Sequence, residues 1–209
     1  MSAILSNSAE WRKERLGHVT ASRVADVVAK TKTGYSASRA TYMGQLLAER
    51  LSGVPMDGYS SAAMQWGLAT EAQALSAYAF LTDQEVGTGS FIRHPALPWS
   101  GATPDGLVGD KGLVEIKCPN TNTHLDTLLT GTIPGKYQTQ MLWQMACTSC
   151  DWVDFFSFDP RLPEDLRVFT RRLHRDEERI TELEAEVAAF LGELESLIGK
   201  LSTHRELAA

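Results

Sequence analysis

The chain has 209 residues, 43% of them hydrophobic and 22% charged, enough to bury one substantial core near the size of a single domain. No window approaches the roughly 20 apolar residues that cross a bilayer, and "MSAILSNSAEWRKERLG" lacks the parts of a signal peptide, so a cytoplasmic protein without membrane contact is expected. A net charge of −6 excludes a uniformly basic surface, and three cysteines, an odd count, fit a reducing compartment better than a disulfide framework.

Along the chain, "TASRVADVVAK" predicts a helix with Thr20 and Ser22 as candidate caps and Val24, Val27 and Val28 at helical spacing. "SRATYMGQLLAERLSG" predicts a second, ending at Gly53. "SAAMQWGLATEAQALSAYAFLTD" predicts a third, with Met64, Leu68, Ala72, Leu75 and Tyr78 or Ala79 along one face. Short segments rich in β-formers follow, "VGTGSFIRHP", "WSGATPDGLVG" and "GLVEIKC", punctuated by Gly and Pro. A helix over about residues 136–147 and the strands "WVDFFSFD" and "RVFTRRLHR" come next. The order of elements predicts an α/β or α+β fold, a mixed central sheet flanked by helices.

Cys147 and Cys150 form a C-x-x-C at the end of the predicted helix. With no second pair to complete a zinc site, they read as two half-buried thiols. The five histidines are scattered without metal-ligand spacing and read as structural or exposed.

Residues 176–201 carry Ile180, Leu183, Val187, Phe190, Leu191, Leu194, Leu197, Ile198 and Leu201 at helical spacing, an amphipathic helix with an acidic polar face. Residues 176–195 hold eight acids against Arg179, a net of −7, whereas residues 1–50 hold eight bases against four acids, a net of +4. The N-terminal quarter could face phosphates. The acidic helix opposes counterion release and is expected on the outer surface, its acids in solvent or against a basic partner.

The stretch "GATPDGLVGDKGLVEIKCP", residues 101–119, sets two carboxylates and a lysine in an apolar run. In a strand Glu115 and Lys117 share one face, while Val114, Ile116 and Cys118 share the other. The apolar face is expected to meet the core and the charged face a cleft. A four-residue loop "GDKG" would put Asp105 on the wrong face, opposite Ile116. A three-residue loop "DKG", with Gly112 left-handed, sets it opposite Lys117 on the face of Glu115. Such a cluster is costly unless a cation compensates it, and all-oxygen ligation favours a hard ion such as Mg²⁺. Lysine beside the metal completes equipment for phosphodiester hydrolysis.

P-D followed ten residues later by E-x-K resembles the PD-(D/E)xK nuclease superfamily, and within it the phage lambda exonuclease group, the YqaJ-type viral recombinases. The matches run in order: "WRKERLGHVTAS", "WGLATE", "TPDG", "GLVEIKCP", "YQTQ" and "DPR", covering roughly residues 10–180. The resemblance implies Asp105, Glu115 and the carbonyl of Ile116 as metal ligands, Lys117 as catalytic lysine, Glu71 as a helical glutamate adding to the metal site, and Gln140 at the same cleft. Tyr137 reads as packing. Arg15, Ser22 and Thr103 match positions that bind the 5′-terminal phosphate. Thr123 and His124 stand where the lambda group has an arginine.

The resemblance further implies a 5′-to-3′ exonuclease on double-stranded DNA ends, with two Mg²⁺ ions that Mn²⁺ can replace, a ring-shaped homotrimer and a phage single-strand annealing protein as partner. The rival readings are a restriction or repair endonuclease on the same core, or a catalytically silent DNA-binding protein.

Overall fold

Glycine and proline punctuation breaks this chain into short elements around one long buried helix. The computed structural model describes residues 9–56 and 62–207. Helix α1 (Ala9–Arg15) turns through the left-handed Gly17 into β1 (Val19–Thr20) and α2 (Ala21–Val28). A small hairpin of β2 (Lys30–Thr31) and β3 (Gly34–Tyr35) precedes α3 (Ala37–Ser52), which stops on left-handed Gly53 as its sequence predicts. Helix α4 (Ala62–Thr82) leads to β4 (Val86–Thr88), β5 (Ile92–Arg93), β6 (Ser100–Ala102), β7 (Gly106–Val108) and β8 (Gly112–Lys117). Then come α5 (Thr121–Thr130), α6 (Gly135–Thr148), β9 (Trp152–Phe158), β10 (Val168–His174) and α7 (Glu177–Leu207).

The main sheet has the order β10-β9-β8-β7-β4, with β8 parallel to β9 and the other pairs antiparallel. It is the mixed α/β sheet the sequence predicts. A second sheet, β1-β6-β5, pairs β1 with β6 in parallel. Among the described residues no helix is long and apolar enough to cross a membrane.

Helix α6 is buried at every position from Gln140 to Cys147. Its Trp143 and Cys147 join a core built by α2, α3 and α7, including Val24, Leu46 and Phe190. Its Met141, Leu142, Met145 and Ala146 pack instead on Leu113, Val153 and Phe155 of the sheet. The opposite face of the sheet, with Val114, Ile116 and Phe156, takes Ala74 and Tyr78 of α4. Both faces of β8 are therefore covered, and the face carrying Glu115 lies under α6 rather than against an open cleft.

Several expectations need correction. The inward face of α4 is Thr70, Ala74 and Tyr78, while Leu68 is 51% exposed and Ala72 is exposed; the Met64 side chain lies outside the described residues. Alanine-rich helices show weak amphipathicity, so their small residues decide the face where the sequence pattern cannot. Thr20 precedes α2 without capping it, its amide donating nothing to its own helix but bonding the Tyr42 hydroxyl at 3.1 Å, and Ser22 lies inside the helix. Helix α5 was not foreseen; Asn120 caps it by accepting from the Thr123 amide at 3.0 Å. Cys118, Cys147 and Cys150 are all buried, free thiols.

The acidic helix α7 is corrected in a different sense. Its glutamates do not all stay in solvent, because they meet bases of this chain. Glu186 takes Lys30 at 2.6 Å and the Tyr35 hydroxyl at 2.6 Å, Glu193 takes both terminal nitrogens of Arg39 at 2.8 Å, and Glu195 takes Arg50. Glu184 meets His94 at 3.0 Å. The N-terminal excess of positive charge is thus partly spent inside the fold.

Arg39 is 7% exposed, so losing its partner strands a buried charge. Glu193→Gln is expected to cost about 1–2 kcal/mol, discounted because Glu193 is half exposed. The Arg39 hydrogen bonds hold the Glu193 carboxyl below its usual range. The pair's contribution is therefore complete above the unfolded carboxylate pKa and vanishes as pH falls through the depressed folded value. Thermal unfolding at pH 7 and in acid should show the difference between wild type and Glu193→Gln shrinking toward low pH.

Candidate active site

The site forms where the antiparallel ladder breaks. Strands β4 and β7 pair in the same register as β5 and β6, yet the four belong to two sheets. Between them stands Pro104, which has no amide to donate. Gly89 faces it so closely that a Cβ there would lie 1.9 Å from the Pro104 carbonyl oxygen. Asp105 follows at the edge of the gap. The β7–β8 ladder ends at Gly106 opposite Val114, and beyond it the Ile116 amide donates to Asp105 Oδ2 at 2.7 Å. A side chain has replaced the missing strand as acceptor.

The register differs from the expected one by two residues. The tip of the hairpin is Gly109-Asp110-Lys111, with Gly109 left-handed at φ 56°, and Val108 pairs with Gly112. Continued past Gly106, this register sets Asp105 across from Glu115 rather than Lys117. The shift is even, so the three charged residues keep a common face. Gly112 is glycine for another reason: a Cβ there would lie 2.1 Å from the Trp152 ring on the neighbouring strand.

Glu115 is fully buried, and Lys117, Gln140 (Nε2 to Oε1, 2.7 Å) and Gln144 (Nε2 to Oε2) all donate to it. Desolvation opposes the charge on Lys117, but Glu115 and Asp105 outweigh it and raise the ammonium pKa, so Lys117 stays protonated. Its Nζ also stands 5.1 Å from the centre of the Tyr137 ring, which stacks on Phe155. Burial pushes the Asp105 carboxyl well above its ordinary value, with Glu115 and Glu71 adding to the rise. Burial likewise raises Glu71, and Glu115 adds to it against the opposing pull of Lys117. Asp105, Glu71, Glu115 and Lys117 therefore form one electrostatic cluster. Cys118 beside it is pushed up to about 12 by burial, an inert thiol.

The phosphate-binding candidates lie at the adjoining small sheet. The parallel pairing of β1 with β6, Thr20 beside Gly101, starts helix α2 and its Ser22 from the strand next to the one that leads to Thr103. Ser22 is exposed, and the buried Thr103 hydroxyl has no hydrogen-bond partner among the described residues. Arg15 stacks 3.7 Å over Trp11, and burial lowers its pKa to about 10 while Tyr42 and Glu49 partly restore it. It remains a cation at neutral pH.

His124 has no part in this pocket. It is fully buried, with Nδ1 at 2.8 Å from the Ser157 hydroxyl and Nε2 at 2.9 Å from the Leu166 carbonyl, and ties α5 to β9. The "DPR" motif is structural too: Asp159 is held by Arg161 at 2.7 Å and 2.8 Å and by Thr121 at 2.7 Å. Gln144 was missed. Its signal was present, since it stands one helical turn beyond Gln140 in "YQTQMLWQM", the one polar residue in the apolar run from Met141 to Met145.

A carboxylate after a broken strand, a Glu-x-Lys on the next, and a glutamate and a glutamine from flanking helices define a PD-(D/E)xK nuclease fold. The YqaJ-like viral recombinase domain model matches residues 10–151, and the chain belongs to that family. The crystal structure of an alkaline exonuclease (LHK-Exo) from Laribacter hongkongensis is 47% identical with a TM-score of 0.91, covering 97% of this chain and 100% of that one. The same exonuclease in complex with dAMP is 48% identical with a TM-score of 0.92, at the same coverage. A phage-related exonuclease from Haemophilus somnus, 18% identical with a TM-score of 0.72, covers 88% of this chain and 96% of that chain and shares the fold. No curated protein matches.

Gly112→Ala should drive a methyl into the Trp152 ring, which Arg172 covers at 3.5 Å, and prise β8 from β9. The expected loss is about 1–3 kcal/mol in chemical denaturation, and an unchanged midpoint would refute the packing role given to this glycine.

Proposed function

We propose that the protein is a divalent-cation-dependent exonuclease that degrades one strand of double-stranded DNA from its 5′ end. The product is a 3′ single strand, the substrate of a phage single-strand annealing protein. The observation that carries this reading is the excess of buried negative charge: Asp105, Glu71 and Glu115 against one ammonium, with the first two carboxyls raised by burial and by the neighbouring Glu115. A hard divalent cation relieves that excess.

Asp105, Glu115, Glu71 and the Ile116 carbonyl are the groups that would hold it. Among the described residues, no three His, Cys, Asp or Glu side chains close a ready-made cage. The all-oxygen donor set suits Mg²⁺, or Mn²⁺ in its place, which retains water and takes further oxygens from a substrate phosphate. Two such ions per site would activate water and stabilise the leaving 3′ oxygen.

The remaining roles fall to the chain itself. Lys117, fixed by Glu115, is a charged donor for the attacking water or for the charge that develops on the phosphate. Gln140 holds Glu115 in place from α6. Arg15, Ser22 and the unpartnered Thr103 hydroxyl would grip a 5′-terminal phosphate, an anion that satisfies a buried donor and an unpaired guanidinium together. Only Pro104 separates Thr103 from Asp105, so an end bound there presents its first phosphodiester to the acids.

The relative solved with dAMP supports this reading, since a deoxynucleoside monophosphate is the product class of an exonuclease. The assembly we propose is a ring-shaped homotrimer threaded by duplex, acting in the cytoplasm of a bacterial host. A restriction or repair endonuclease on the same core is the second reading, and closed circular DNA separates the two.

The test is digestion of a linear duplex labelled separately at each 5′ and 3′ end. The 5′ label should be released first as mononucleotide, only with Mg²⁺, while closed circles survive. Early loss of the 3′ label would overturn the polarity, and cutting of circles would favour the endonuclease. Lys117→Ala and Glu115→Gln should abolish turnover under saturating Mg²⁺ in folded protein; near-normal rates in either would remove the site assignment.

Arg15→Ala should slow hydrolysis of 5′-phosphorylated ends by about 10- to 100-fold, a charge-assisted bond of roughly 1.5–3 kcal/mol, and of 5′-hydroxyl ends much less. Equal losses on both would assign Arg15 to general backbone binding or folding.

A further inference from the structure

Glu115 has two carboxylate oxygens, and the chain treats them differently. Oε1 accepts from Lys117 and Gln140, whereas Oε2 accepts from Gln144 alone among the described residues. Gln140 and Gln144 stand one turn apart on α6, so one rigid helix presents an amide to each oxygen. An ionised carboxylate only accepts, which fixes Gln144 with its NH₂ toward Glu115.

Gln144 is fully buried, and its own Oε1 has no hydrogen-bond partner among the described residues. A glutamine here is poor material for a core, because an orphaned buried carbonyl is costly while a methionine or leucine of similar volume would leave nothing unsatisfied. The helix keeps it amid Trp143, Met145 and Ala146, all buried and apolar. Among the described residues, the one hydrogen bond its side chain makes is to Glu115.

We infer that Gln144 is a positioning residue for the cation: it sets the plane of the Glu115 carboxylate and so determines which of its lone pairs face the metal position. The inference rests on the cation-dependent reading above. With Lys117 and Gln140 both engaged at Oε1, Oε2 carries the larger share of free lone pairs. Gln144, donating from inside the core, spends one of them and turns the other outward. Without it the carboxylate is anchored at one oxygen and free to rotate about that anchor, so the cation loses a preset ligand while the DNA-binding surface is untouched. Partners that orient a ligand in this way typically change metal affinity by about 10- to 100-fold when removed.

The test is calorimetric titration of the full chain with MnCl₂ in the absence of DNA, using wild type, Glu115→Gln and Gln144→Met, which keeps length and volume but lacks the donor. Steady-state hydrolysis of linear duplex runs in parallel. Wild type should bind Mn²⁺ and Glu115→Gln should not. Gln144→Met should bind about 10- to 100-fold more weakly while folded, with kcat reduced and the KM for DNA ends unchanged. A structural role alone would lower the melting temperature and leave Mn²⁺ affinity as in wild type, and that result overturns the inference while the cation site stands. Wild type without Mn²⁺ affinity overturns the cation-dependent reading itself. Should Gln144→Met fail to fold, Gln144→Asn, whose amide is one methylene short of Glu115, carries the same test with the same two outcomes.

Discussion

The structure turns on the burial of the Glu115 carboxylate. Taking an ionised carboxylate out of water is among the most expensive acts a fold can perform, and it is tolerated only where donors and a counter-charge are supplied in place. Here Lys117 supplies the charge from the same strand face, two residues on, and α6 supplies two amides. The helix must be rigid to do so. That rigidity comes from its being enclosed on all sides, by the α2, α3 and α7 core through Trp143 and Cys147 and by the sheet through Met141, Leu142 and Met145. The two apolar clusters are in this sense the scaffold of one polar contact.

Asp105 reaches the cluster by a different device. A continuous antiparallel pair would bury its side chain against a neighbour in regular alternation. Pro104 withholds a donor, Gly89 admits the Pro104 carbonyl at a distance no side chain allows, and the ladder parts. The freed Asp105 side chain then takes over a backbone bond from Ile116. This fixes Asp105 against β8, so the local geometry of the site depends on two residues, Pro104 and Gly89, that carry no reactive group.

The strand alternation of "GLVEIKC" was legible because a period of two needs only the strand to exist, and parity survived a register error of two residues. What fixes register lay elsewhere, in the Trp152 ring that excludes any side chain at Gly112. No local pattern in a hairpin records a neighbour from a strand forty residues on. The same holds for α4, where alanines leave the inward face to tertiary contacts, and for α5, whose cap Asn120 lies in a polar run that reads as loop. Gln144 was missed because a glutamine among apolar residues reads as a tolerated surface position until its burial is known. Arg15, Ser22 and Thr103 came from the family resemblance; the parallel β1–β6 pairing, Val19 with Ser100 and Thr20 with Gly101, brings the chain segments that carry Ser22 and Thr103 onto neighbouring strands.

Charge shows most plainly why composition and even its distribution along the chain are incomplete guides. Read linearly, the N-terminal quarter is a basic surface and the last helix an acidic one. Folded, the second is laid on the first: Lys30, Arg39 and Arg50 are each matched by a glutamate of α7, and Arg23 is matched by Asp26 at 2.6 Å. Among the described residues, Lys13, Arg15 and Lys32 are left without a carboxylate partner in that quarter. Of these, Arg15 is the one that burial disfavours as a cation, stacked on Trp11, with Tyr42 and Glu49 restoring only part of what is lost. Burial disfavours this guanidinium as it disfavours the Asp105 carboxylate, and in each case a nearby opposite charge, Glu49 for the one and Lys117 for the other, offsets only part of the cost. The fold therefore holds two incompletely compensated sites of opposite sign, one at Arg15 and one at the Asp105 cluster. Under the function proposed above, a nucleic-acid end would bring the complement of both, a phosphate for the one and, through its phosphate oxygens, a share of a cation for the other.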